Sequence, residues 1–180
     1  MDTSLVNLVA ANIAFVGSHL AMSHALRAPM VKALGDKGFQ GAYTLISFAT
    51  LGWVYFAFIA APGADLGGSG EAGWVLATVL TWPAMVLLAG SFLGNPALPT
   101  PMAEEQARAE PRGVFLVTRH PMMWAIGLWA ASHIVLMWST RTLITALAMG
   151  FLALVGSWFQ DAKKREQMGE AWAQWAAKTS

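Results

Sequence analysis

The sequence predicts an all-α integral membrane protein: a bundle of five transmembrane helices followed by a C-terminal amphipathic helix. Of its 180 residues, 56% are hydrophobic and only 12% are charged, and the mean hydropathy is +0.50. Soluble domains contain about 25% charged residues. Five segments are apolar and long enough to cross about 30 Å of hydrocarbon as helices. We therefore expect one domain, residues 1–180, with the lipid bilayer as its main partner.

The predicted spans and the segments between them follow from hydropathy and from helix-breaking residues. The five spans are 4–26, 42–61, 73–93, 122–138 and 142–160. Four glycines make 62–72 a turn-rich loop, and four prolines between 95 and 120 prevent one continuous helix there. In the tail, 161–177, Met168, Trp172 and Trp175 recur at helical spacing. This predicts an amphipathic helix on the inner membrane surface, the alternative being a frayed, solvated C-terminus.

The charges predict the orientation and exclude several classes of protein. Of the eleven Lys and Arg residues, all except Arg141 lie in the loops 27–41 and 94–121 or in the tail. The positive-inside rule then places the C-terminus in the cytoplasm and the N-terminus outside. A net charge of +1 argues against a nucleic-acid partner. The absence of cysteine from the sequence excludes disulfides, iron–sulfur clusters, thiolate zinc sites and cysteine nucleophiles.

The candidate functional residues are the four histidines, because an ionisable side chain inside a bilayer is costly and usually functional. His19 lies on a polar stripe of the first span, and His133 lies on one face of the fourth. His24 lies near the cytoplasmic end of the first span, and His120, before Pro121, is the expected N-cap of the fourth. Each of the buried pair has the alternative of only bridging helices by a hydrogen bond. Interfacial or capping roles are the alternatives for His24 and His120.

His19 and His133 lie on different helices, and together they can bind one haem iron from opposite faces. We therefore expect both to be metal ligands and catalytic residues. Arg27 and Arg119, at the cytoplasmic ends of the same helices, are the expected partners of the haem propionates. Trp129 is the tryptophan best placed against the cofactor.

Two stretches resemble the NnrU family of membrane proteins. The first is Phe15-Val-Gly-Ser-His19, with Ser23-His24, Arg27, Leu34-Gly35 and Tyr43-Thr-Leu-Ile-Ser47; the second is Gly113 to Thr118-Arg119-His120-Pro121, with Trp124, Trp129 and His133. The family includes bacterial proteins linked to denitrification and nitric oxide metabolism, and plastid carotenoid cis–trans isomerases. The resemblance implies haem b held by His19 and His133, with His120 in the motif, in a bacterial inner membrane. It also implies either a hydrophobic polyene substrate or a membrane protein partner.

Two other functions stay open. Arg119-His120-Pro121 and the tail Gly169-Glu170-Ala-Trp172 also resemble membrane methyltransferases that bind S-adenosylmethionine, although Met122-Met123-Trp124 stands where that family usually has a tyrosine. A non-enzymatic role in assembling a respiratory or nitric oxide reducing complex is the other alternative. The family's plant branch offers a cysteine near the iron that this chain lacks, so a thiolate ligand is excluded here.

Overall fold

The computed structural model describes residues 2–63 and 65–180, and within them it contains helices and no strand. The helices are α1 Thr3–Ser23, α2 Arg27–Ala60, α3 Gly70–Gly90, α4 Ala103–Arg108, α5 Pro121–Leu136, α6 Thr140–Met168 and α7 Glu170–Lys178, with a 3₁₀ turn Gly113–Leu116 before α5. The prediction of an all-α protein is confirmed.

Four helices, α1, α2, α3 and α6, are long and apolar enough to cross a membrane. The predicted fourth span, 122–138, corresponds to α5, which is apolar but has only 16 residues, about 24 Å of helix. The count of five spans therefore stays a prediction. Large apolar side chains point outward from the bundle, such as Leu45 at 71% exposure and Trp82 at 69%. Such a surface indicates a protein surrounded by lipid.

The second helix begins fifteen residues earlier than the predicted span 42–61, so the expected loop 27–41 is wrong. Pro29 lies in the first turn, where its missing N–H is tolerated, and most of the residues that follow are good helix formers. The helix breaks only at Gly35, where φ is 70° and ψ is 169°. Only glycine adopts such angles readily, so Gly35 separates a short segment, 27–34, from the long one.

The predicted boundary between the fifth span, 142–160, and the tail helix, 161–177, is also wrong. The helix α6 continues without a break to Met168, because charged side chains end a hydrophobic segment but do not end a helix. Gly169, with φ 52°, ends it. The shorter α7 is amphipathic, but Trp172 and Trp175 are 0% and 2% exposed. They pack on Ala107 of α4 and Phe115 of the 3₁₀ turn. The apolar face predicted for the membrane surface is therefore covered by protein.

The helices that line the site pack around α6. This helix contacts α1 and α5 along its sides and touches α2, while α2 otherwise packs on α1, and α3 on α5. Small residues such as Ala11, Ala57 and Ala153 are buried between helices. They let the helices approach closely, which is how helices associate in lipid. We call the end where α1 and α6 end and α2 and α5 begin the basic end of the bundle.

Candidate functional site

His19 lines a cavity of about 340 Å³ between α1, α2, α5 and α6, which we call the His19 cavity. Its volume falls at the lower end of the roughly 300–1,000 Å³ typical of small-molecule sites. Most of the wall is apolar and comes from Phe15, Leu20, Met122, Met123, Ile126, Met149, Leu152, Ala153 and Gly156. The polar members are His19, Ser23, His24, Tyr43, Gln160 and Lys163. The cavity is therefore a largely apolar chamber with the imidazole of His19 in its wall, and with His24 and Lys163 among the polar groups at the basic end.

The His19 ring is held in a defined state by its own helix. Its Nδ1 lies 2.8 Å from the carbonyl oxygen of Phe15, one turn earlier. A carbonyl oxygen only accepts, so Nδ1 carries the proton and the Nε2 of the neutral ring carries a lone pair. The Phe15 ring lies 4.3 Å from the imidazole, and Tyr43 meets it edge-on at 5.5 Å. This anchoring of one nitrogen is the arrangement that orients metal-binding histidines in proteins.

His133 has the same local arrangement at a different place. Its Nδ1 lies 2.9 Å from the carbonyl oxygen of Trp129, and the Trp129 ring lies 4.2 Å from the imidazole. Within the described residues, however, His133 is not part of the His19 cavity wall. It lies seven residues beyond Ile126, about 10 Å further along α5. The pairing of His19 with His133 on one iron stays a prediction.

His24 lies at the basic end of the His19 cavity, directly after α1. Its ring packs against Phe159 of α6 at 4.5 Å. Burial lowers the pKa of His24, and the positive charge of Lys163 lowers it further. Both effects favour the neutral form of the ring.

Arg119 and His120 are occupied by contacts within the protein. Asp161 of α6 accepts three hydrogen bonds from the Arg119 guanidinium, at 3.0, 3.0 and 2.7 Å, and the carbonyl oxygen of Thr179 accepts a fourth at 3.1 Å. His120 is the N-cap residue of α5, as expected. Its Nδ1 is 3.1 Å from Gln160 Oε1. Its Nε2 lies 3.0 Å from Asp161 Oδ1, although not in hydrogen-bonding geometry. The motif thus ties α5 to α6 and to the C-terminus.

The basic end contains two further cations that the sequence analysis did not select, Lys163 and Lys164. Lys163 lines the His19 cavity, and Lys164 is only 6% exposed. The positive charge of Arg27 acts on both lysines. Gly156, Gln160 and Lys163 recur at helical spacing, and this periodicity could have identified Lys163 as a residue of the same helix face. It was missed because the span was predicted to end at residue 160.

Tyr43 is the other site residue that sequence reasoning did not assign. Its hydroxyl lies 3.4 Å from Ser23 Oγ, and its ring borders the His19 cavity and a second cavity of about 290 Å³ on the other side of His19. Trp129 lies beside His133, away from both cavities, and is 40% exposed.

The donor set suits a cofactor better than a bare ion. Across residues 2–63 and 65–180 there is no group of three or more His, Asp or Glu side chains that could hold a metal ion. A porphyrin brings four nitrogen ligands with its iron and needs only one or two from the protein. One oriented imidazole in an apolar chamber, with cations at the basic end, therefore fits haem.

A protein-family model described as "NnrU protein" matches residues 7–180. No curated protein and no solved structure matches the chain significantly. The family match covers α1 from Asn7 onward and all of the later helices, including every residue of the His19 cavity.

Proposed function

Because the chain belongs to the NnrU family, we propose that it is a membrane protein that binds haem b in the His19 cavity, with His19 Nε2 as a ligand of the iron. The single observation that carries the proposal is the hydrogen bond from His19 Nδ1 to the Phe15 carbonyl oxygen, 2.8 Å long. It places a proton on Nδ1 and leaves Nε2 as the atom that can coordinate a metal, in a largely apolar wall.

The remaining residues of the cavity have roles that follow from their chemistry. Met122, Met123 and Ile126 of α5 would face one side of the macrocycle and exclude water from it. His133 is the second ligand predicted from the sequence, and the methionine thioethers of the cavity wall would be the alternative. Histidine–methionine ligation is known in cytochromes and raises their reduction potential.

A bound haem would supply an iron that can interact with a small molecule or with the double bond of an apolar substrate. The protein's part is to hold the ring, exclude water and admit ligands from the lipid. The resemblance to NnrU proteins offers two such ligands, a polyene undergoing cis–trans isomerisation and nitric oxide. The apolar wall of the His19 cavity and its position among the spanning helices support a lipid-soluble polyene as the substrate. By the positive-inside rule, the basic end would lie on the cytoplasmic side of a bacterial inner membrane.

The methyltransferase alternative has less support. It depends on Arg119 and His120, and both side chains are engaged by Asp161, Gln160 or the C-terminal residues. A cofactor could reach them only after those contacts had broken.

The experiment is an absorption spectrum of the protein purified in mild detergent and titrated with haem b. We expect a Soret band of an imidazole-ligated haem in the wild type. We expect its loss in His19→Ala, with recovery when free imidazole is added, because imidazole replaces only the missing ligand. A wild type that shows no such band, or a His19→Ala variant with the wild-type spectrum, would overturn the proposal.

The variant His133→Ala tests the second ligand in the same assay. A change from a six-coordinate to a five-coordinate spectrum would identify His133 as the second ligand of the iron. An unchanged spectrum would show that His133 is not that ligand. For the substrate, His19→Ala in a host that accumulates cis-polyenes should abolish the isomerisation seen with the wild type. Equal isomer ratios for both would refute the isomerase role.

A further inference from the structure

Three cations lie together at the basic end of the His19 cavity. Lys163 is in the cavity wall, Lys164 follows it on α6, and Arg27 begins α2 opposite them. The Arg27 guanidinium lies over the Phe39 ring, 5.6 Å from its centre, and its charge acts on both lysines. Lys163 therefore faces the cavity, and Arg27 and Lys164 lie close enough for their charges to interact with it.

In the part of the chain that the structure describes, none of these three cations has a carboxylate within ion-pair distance. The ion pairs there join Glu104 with Arg108, Asp161 with Arg119 and His120, and Glu110 with Lys178, and none includes Arg27, Lys163 or Lys164. Lys164 is nevertheless 6% exposed, and lysine is almost never buried without a partner. Repulsion among three such groups is costly unless an anion compensates it.

The position of the cations indicates where that anion comes from. Lys163 shares the cavity with His19, and it lies about 10 Å along α6 from Gly156, which faces Met123 across the cavity. Lys164 is too buried to meet a lipid headgroup from outside the bundle. A molecule with an apolar body and an acidic end, lying in the cavity, would reach both the imidazole of His19 and the ammonium group of Lys163, with the charges of Lys164 and Arg27 nearby.

We propose that Arg27, Lys163 and Lys164 form a carboxylate-binding site at the basic end of the His19 cavity, which holds the acidic groups of the ligand in it. This inference rests on the proposed function, in which those groups are the haem propionates. The sequence analysis assigned the propionates to Arg27 and Arg119. Because the Arg119 guanidinium is bound to Asp161, we assign its role to the two lysines. Carboxylates accept charge-assisted hydrogen bonds from ammonium and guanidinium groups, which also fixes the direction in which the ring enters.

The test compares the affinity of the apoprotein for haem b with its affinity for haem b dimethyl ester, whose carboxylates are masked. Both Kd values come from titrating the Soret band. We expect the wild type to bind haem b about ten- to hundredfold more tightly than the ester. The variants Lys163→Met and Lys164→Met should lose most of this preference while the Soret position stays unchanged. The control Lys37→Met, an exposed lysine of α2, should retain it.

The outcomes separate the two proposals. If neither porphyrin gives an imidazole-type band, the proposed function fails and this inference fails with it. If both porphyrins bind equally well to the wild type, haem binding stands and the carboxylate site is refuted. A third arm uses nanodiscs with and without phosphatidylglycerol. If the anionic lipid raises the unfolding temperature of the wild type but not of Lys163→Met, with no preference for the free acid, the cations bind lipid phosphate and the inference is overturned.

Discussion

Replacing Asp161 by Asn should destabilise the protein more than any exposed ion-pair substitution in it. The Asp161 carboxylate is 16% exposed and the Arg119 side chain 25% exposed, and three hydrogen bonds of 2.7–3.0 Å join them. His120 Nε2 lies 3.0 Å from the same carboxylate. One side chain of α6 thus holds the start of α5.

The magnitude follows from the number and type of these bonds. A hydrogen bond to a charged group contributes about 1.5–3 kcal/mol. Asn keeps one acceptor oxygen but loses the charge and the second oxygen, so we expect Asp161→Asn to cost about 2–4 kcal/mol. In a protein of this size each kcal/mol lowers Tm by about 2–4 °C, which gives a decrease of roughly 5–15 °C. The control is Glu104→Gln, because that carboxylate is 63% exposed and its partner Arg108 53%. An exposed pair contributes at most about 1 kcal/mol.

The assay is thermal unfolding in detergent, followed by tryptophan fluorescence, for Asp161→Asn, Arg119→Gln and the double variant. The coupling free energy from this cycle should be about 1–3 kcal/mol, because the two side chains act through one another. Equal Tm shifts in Asp161→Asn and Glu104→Gln, or fully additive effects in the cycle, would refute the role given to this network.

The remaining predictions concern α7 and the histidine at the basic end. Trp172→Ala should cost about 3–5 kcal/mol, because the side chain is 0% exposed. Trp158→Ala, at 72% exposure, should lower Tm far less, and equal losses would contradict the packing of α7. Burial and the charge of Lys163 lower the pKa of His24 from 6.5, so Lys163→Met should raise it, as measured by NMR titration of the imidazole. Because the unfolded chain binds the proton more readily, stability should fall as the pH drops below about 6.5, and less in the variant; identical titrations would disprove the link.

The sequence-based prediction was most accurate for the positions of the helices that hydropathy alone defines. The spans at 4–26 and 73–93 agree with α1 and α3 to within three residues at each end. Hydropathy did not predict where a helix begins or ends when the helix continues beyond the apolar segment. Lys32 and Lys37 suggested a loop in what is the first part of α2, and the charges after residue 160 suggested the end of α6. Helical hydrogen bonds continue through polar segments, so only the glycines that break the backbone mark those positions.

For the candidate site, periodicity identified the polar stripe on which His19 lies, because side-chain direction along one helix is fixed by its geometry. Periodicity does not say which helices are neighbours. The pairing of Arg119 with Asp161, 42 residues away, and the approach of Lys163 to His24 depend on how α6 packs. They were therefore beyond what a single helical pattern can predict. The tryptophans of α7 show the same limit, since an amphipathic pattern predicts an apolar face and not its partner.

The way α6 completes the bundle has a consequence for how the protein is made. The His19 cavity takes one wall from α1 and another from α6, two helices that are separated in the chain by α2 to α5. A nascent chain that ends before Thr140 has His19 but neither Gly156 nor Lys163. A ligand that needs the complete cavity is thus bound only after α6 has been made and has packed against α1. Ligand binding in the cavity would thereby report that α6 has been inserted beside α1.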